Sequence, residues 1–205
     1  MKFKPYPYQE EAIRRIIEQP ATGLFLDMGM GKTVITLTAI EKLMYDYFEV
    51  NKALVIAPKR VAETTWPDEV KAWDHLRNLR VSVVLGSEEK RLKALQQEAD
   101  IYVINRENVV WLVETLGRRW PFDMVVIDEL SSFKSPKAKR FRALRRVRPK
   151  IKRIVGLTGT PAPNGLIDLW PQIYLLDQGE RLGRTVTGYR ARYFEPEKMD
   201  SSRQI

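Results

Sequence analysis

The chain has 205 residues, 44% hydrophobic and 30% charged, which suits one globular domain of ordinary size and excludes a disordered segment. With no cysteine and a single histidine, His75, it can form neither disulfides nor thiolate or histidine-rich metal cages. The net charge is +9, yet residues 134–153 hold eleven Lys and Arg and no acid, so the rest of the chain sums to −2 and this one segment carries the whole excess. Such a cluster either attracts phosphate polyanions or is the solvated face of a helix whose apolar stripe is Ala138, Phe141 and Leu144.

The N-terminal stretch MKFKPYPYQEEA has no apolar core of signal-peptide length. No apolar run approaches the roughly 20 residues of a membrane span. The expectation is a soluble, cytoplasmic protein without a membrane partner.

In chain order, short β-branched runs at 23–27, 53–58, 81–85, 101–105, 124–129 and 154–160 are expected to be strands. Each is continuously apolar, as in strands covered on both faces. Between them the helical period predicts helices over Lys32–Phe48, Val61–Trp73, Glu88–Gln97, Arg106–Leu116 and Pro136–Val147. Pro67 biases Trp66 toward extended geometry, so a break or kink is expected in the second of these. The alternation predicts an α/β fold, a mostly parallel sheet with helices on both faces and its ligand edge at the strand C-terminal ends. After Asp177 no strand is evident, and basic and aromatic residues mix.

Residues 24–33, LFLDMGMGKT, run from a predicted strand into a predicted helix. Glycines there let backbone amides converge on a phosphate at a helix N-terminus. Lys32 would reach the β and γ phosphates, and the Thr33 hydroxyl would ligate magnesium. The strict pattern G-x-x-x-x-G-K-[ST] is not met, because Leu26 stands at its first glycine. A triphosphatase also needs a carboxylate at another strand tip. Asp128 would hold the magnesium and Glu129 would orient or deprotonate the attacking water.

With these residues in place the chain resembles the first RecA-like motor lobe of Swi/Snf-type ATPases, in helicase superfamily two. The resemblance rests on ordered stretches: YPYQEEAI, LDMGMGKT, ALVIAPKRVAETTWPDEVKAW, YVINREN, VVIDELSSFKS and GLTGTPAPNGLIDLWPQIYLLD. It implies a RecA-like P-loop NTPase fold that uses ATP and Mg2+. Gln9 would read adenine, and Gly29, Met30, Gly31, Lys32 and Thr33 would hold the phosphates. Pro58, Lys59, Arg60, Asn105, Arg106 and Lys134 would contact nucleic acid, most naturally the backbone of double-stranded DNA. Thr158, Gly159 and Thr160 would relay the state of the γ-phosphate. Ser131 stands where the family usually has a histidine that links hydrolysis to nucleic acid binding. Residues 1–177 would form the ATP-binding lobe, and 178–205 an appendage or the start of a linker to a second lobe in cis or trans. That second lobe normally supplies arginines to the transferring phosphate, so slow hydrolysis is expected of this lobe alone. A single-strand- or RNA-directed helicase, a P-loop kinase for a small acceptor and a basic binding module without catalysis are the competing readings.

Among the aromatic residues, Trp66, Trp73 and Trp170 are expected in the core. Tyr189, Tyr193 and Phe194 would either stack on nucleic acid or pack the tail.

Overall fold

The computed structural model describes residues 1–195. Six strands form one sheet: β1 (Ala21–Phe25), β2 (Ala53–Ala57), β3 (Val81–Val84), β4 (Ile101–Asn105), β5 (Met124–Asp128) and β6 (Arg153–Thr158). Their order is β1-β6-β5-β2-β4-β3 and every pairing is parallel. Parallel neighbours require crossovers, and helices supply them. These are α2 (Lys32–Tyr45), α3 (Trp66–Ala72), α4 (Glu88–Gln96), α5 (Val109–Leu116) and α6 (Lys139–Val147). An N-terminal α1 (Pro7–Glu18) precedes the sheet, and α7 (Leu169–Asp177) and α8 (Val186–Tyr193) follow it.

Strand alternation explains the continuous apolar runs. Ala53, Val55, Ala57, Ile101, Val103, Met124 and Val126 face one core with α1, α2 and α3. Leu54, Ile56, Tyr102, Ile104, Val125 and Ile127 face the other with α5, α6 and α7. At about 1.5–3 kcal/mol per fully buried aliphatic side chain, both faces draw the central strands inward, and β2 is buried along its whole length.

The helix α1 is an element beyond those the apolar pattern predicts. Its apolar set Ala12, Ile13 and Ile16 is buried, and Pro7 opens it, where a missing N–H costs nothing. Trp66 is helical (φ −65°, ψ −48°) rather than extended. The chain accommodates Pro67 differently, widening Val61–Thr65 into one π-helical turn in which the Trp66 N–H bonds the Val61 carbonyl. A proline ring collides with the carbonyl four residues back in a regular α-helix, and a wider turn relieves this. The helix expected from Pro136 starts only at Lys139, after a turn over Ser135–Ala138.

Candidate nucleotide-binding site

Strand register assembles the site. Phe25 at the end of β1 pairs with Thr158 of β6, and Leu157 pairs with Asp128 of β5. The loop after β1 and the carboxylates after β5 therefore leave the sheet on one edge, about 10 Å apart, two strand spacings. The segment after β2, Pro58–Arg60, and Arg106 after β4 emerge on the same edge, since Ala57 pairs with Asn105.

The loop is held from below by α1. Gly29 and Gly31 both lie at left-handed φ, +78° and +80°, and Gly31 is the N-cap of α2. A Cβ on Gly31 would stand 2.6 Å from Gln9 Nε2, so the glycine serves both backbone and packing. Tyr8 Oη donates to the Met30 carbonyl at 2.9 Å and Gln9 Nε2 to the same oxygen at 3.4 Å. Gln9 Oε1 accepts the Tyr6 N–H. The Gln9 amide thus braces the loop. The Lys32 ammonium donates to the carbonyls of Leu26 and Asp27, folded over the loop it belongs to. Thr33 stands half-buried in the first turn of α2.

Across the edge, Glu129 adopts a left-handed conformation (φ 57°, ψ 60°) that non-glycine residues hold only under constraint. The constraint comes from Leu130, which is fully buried and packs over Gly156, where a Cβ would lie 2.6 Å from its Cδ2. Asp128 Oδ2 accepts the indole N–H of Trp66 at 3.0 Å. Burial pushes the Asp128 carboxyl above the ordinary carboxylate range. The Trp66 bond pulls it back, Glu129 pushes it up again, and the Glu129 amide and Lys32 favour its charged form. Thr158 is fully buried, with its hydroxyl accepting the Thr160 N–H at 3.2 Å, while Gly159 and Thr160 are exposed and Gly159 lies beside Leu26 and Asp27. Ser131 is half-buried in the short turn Leu130–Phe133.

The candidate nucleic-acid residues divide. Lys59, Arg60 and Lys134 are exposed, and Pro58 is half-buried. Asn105 is buried, its amide tied to Glu107 and Asn108, and Arg106 pairs with Glu107. Within 134–153 two of the eleven cations are structural. Arg148 is buried and caps the end of α7 by donating to Leu175 and Leu176, and Arg153 pairs with Glu49 and donates to the Ile16 and Ile17 carbonyls. Trp66 and Trp170 are core residues as expected, and Trp73 is half-buried against Phe3. Tyr189 is buried, its rings packed with Tyr193 and Phe194 and its hydroxyl on the Leu166 carbonyl, so the tail packs through α8. Neither the Trp66–Asp128 bond nor the Tyr8 brace has a signature in the residue pattern.

A cavity of about 890 Å³ lies elsewhere, between α1, α2 and the N-terminal arm, with Phe3, Ile13, Thr38, Lys42 and His75 on its walls. It contains neither the loop nor the carboxylates, and size alone does not mark the chemistry. Among the described residues no helix is long and apolar enough to cross a membrane.

An all-parallel sheet with a glycine turn before α2 and an acidic pair at a nearby strand tip defines a RecA-like P-loop lobe. The chain belongs to the SNF2-related domain family, whose model matches residues 8–181. It is 46% identical over 199 residues to protein p41 of Acyrthosiphon pisum secondary endosymbiont phage 1, covering 94% of this chain and 43% of p41. It is 31% identical to the mouse DNA excision repair protein ERCC-6-like, covering 83% of this chain and 14% of that one. The fold superposes on the Sulfolobus solfataricus SWI2/SNF2 ATPase core, solved in complex with dsDNA, with TM-score 0.77 and 25% identity, over 93% of this chain and 39% of that one. The chain thus spans less than half the length of these relatives.

Proposed function

We propose that this chain is the ATP-binding lobe of a DNA-dependent ATPase that moves along or remodels duplex DNA. The observation that carries the reading is the β1–β6–β5 register, which delivers the phosphate loop and the Asp128–Glu129 pair to one sheet edge in a family of helicase-like ATPases.

Lys32 exchanges the Leu26 and Asp27 carbonyls for phosphate oxygens, and the amides of Gly29, Met30 and Gly31 complete the cradle. Gln9 exchanges its long bond to the Met30 carbonyl for adenine. Thr33 and Asp128 offer one hydroxyl and one carboxylate. Such a sparse oxygen set suits Mg2+, which is commonly held by one or two protein oxygens together with substrate phosphates. Among the described residues no group of three or more acidic or histidine side chains offers a dedicated cage instead. Bound there, Mg2+ would neutralise charge on the β and γ phosphates. Glu129 orients the attacking water and accepts its proton. Thr158, Gly159, Thr160 and Ser131 relay the phosphate state to the loops bearing Pro58, Lys59, Arg60, Asn105, Arg106 and Lys134. The exposed Lys59, Arg60 and Lys134 grip a phosphate backbone and read little sequence, while the buried Asn105 orders its loop through Glu107 and Asn108 rather than touching nucleic acid itself. The match to a SWI2/SNF2 core solved on dsDNA supports a duplex partner.

Residues 1–177 form the lobe. Residues 178–205 are an appendage leading toward a second RecA-like lobe, in cis or trans, and positions 196–205 lie outside the described residues. Without the arginines of that lobe, hydrolysis falls by about 10³–10⁵. In a protein carrying both lobes, Lys32→Ala is expected to abolish ATP affinity and DNA-stimulated turnover; unchanged values would refute the reading. Comparing duplex DNA, single strands and RNA at one salt concentration separates a duplex translocase from an RNA-directed helicase.

A further inference from the structure

Five tryptophans lie in this chain, and each indole N–H has a partner. Trp120 and Trp170, both buried, donate to backbone carbonyls of Phe122 and Gly183. Trp73 and Trp111, both partly exposed, donate to Glu69 and Glu88. Trp66 alone is a buried indole on a carboxylate, and that carboxylate is Asp128, 62 residues further along the chain. A buried indole needs an acceptor, but a backbone oxygen suffices, as the other two buried tryptophans show.

The position of Trp66 also has a specific cause. It follows the one π-helical turn among the described residues, Val61–Thr65. One additional residue in a turn rotates everything beyond it by about 100° relative to a regular α-helix. The π-turn starts directly after Lys59 and Arg60, at the C-terminal edge of β2, and β2 pairs with β5. The indole therefore reaches one strand across to the tip of β5.

We propose that Trp66 is a positioning residue for Asp128: its N–H occupies Oδ2 and fixes the orientation in which the carboxylate meets magnesium. This rests on the reading that Asp128 holds that ion. Groups that orient metal ligands typically cost about 10- to 100-fold in metal affinity when removed. The link also joins the metal carboxylate to the segment bearing Lys59 and Arg60 through six residues of continuous helical backbone, a route that does not pass through Ser131.

The test is binding of a non-hydrolysable ATP analogue to the full chain, measured in EDTA and across a Mg2+ titration. Two replacements remove the N–H: Trp66→Phe, and β-(3-benzothienyl)alanine at position 66, which keeps the bicyclic shape with sulfur in place of nitrogen and so covers the case in which phenylalanine fails to fold. Both are expected to leave metal-free affinity unchanged and to raise the Mg2+ concentration at half-effect about tenfold. In an Asp128→Asn background the same replacements are expected to add nothing, whereas a merely structural tryptophan would weaken binding in both backgrounds and in EDTA. A Mg2+ response within twofold of the wild type in the benzothienyl protein would overturn the proposal alone. A wild-type chain whose analogue binding ignores Mg2+ would overturn the Asp128 reading and the proposal with it.

Discussion

Two turns face each other across β6, and they achieve a left-handed backbone by opposite means. The loop after β1 uses glycine, at positions 29 and 31. The turn after β5 uses Glu129, a residue that pays about 1–2 kcal/mol for that conformation. The glycine turn is shaped by its own backbone. The glutamate turn is shaped by its neighbours: Leu130 wedged over Gly156, and Asp128 held by Trp66. Strain survives where the surroundings over-determine it, and here it aims the side chain assigned to catalysis.

The largest effect expected from separating the two turns is Glu129→Gln in a protein with both lobes. The shape is kept and the base is lost, so turnover should fall about 10²–10⁴-fold while nucleotide affinity stays, as measured by single-turnover hydrolysis beside equilibrium binding. Next, Gly156→Ala pushes a methyl into Leu130. Denaturant unfolding should show a loss of about 1–3 kcal/mol, with reduced turnover although no site residue was touched. Glu129→Gly should do the reverse, gaining up to about 1 kcal/mol of stability while abolishing hydrolysis; a loss of stability would show that the left-handed turn is unstrained. The smallest effect lies far from both turns. His75 bonds Thr38, stacks on Phe3, and has its pKa lowered, first by burial and then by Lys42. The unfolded chain then binds that proton more readily. The contribution of His75 is complete above its ordinary value of 6.5 and is lost as pH falls through the lower native one. His75→Gln should flatten that part of the stability-versus-pH curve in chemical denaturation.

Much of this was legible in the chain because it follows from local pattern. The β-branched runs at 53, 101 and 124 became the interior strands β2, β4 and β5 with ends within a residue of expectation, since strands buried on both faces leave an unbroken apolar signature, and the run at 81 became the edge strand β3. The strand before the loop began two residues earlier than expected, at Ala21, where Thr22 and the half-buried Ala21 interrupt the apolar pattern. The glycine turn was legible because glycine itself reports the backbone. Glu129 gave no such report, and the Trp66–Asp128 bond joins residues 62 positions apart that only the β2–β5 pairing brings together. Charge misled in one respect. Arg148 counted toward the basic stretch, yet it is buried at the end of α7, where its guanidinium satisfies carbonyls the helix leaves unpaired.

The most direct test of convergence is a crystal structure of the chain with an ATP analogue and Mn2+ in place of Mg2+, read by anomalous scattering. One metal peak is expected, beside the analogue's phosphates, in contact with the Thr33 hydroxyl and with the Asp128 carboxylate directly or through one water. A nucleotide seated instead in the large cavity between α1 and α2, or a metal that touches only one of the two clusters, would contradict it.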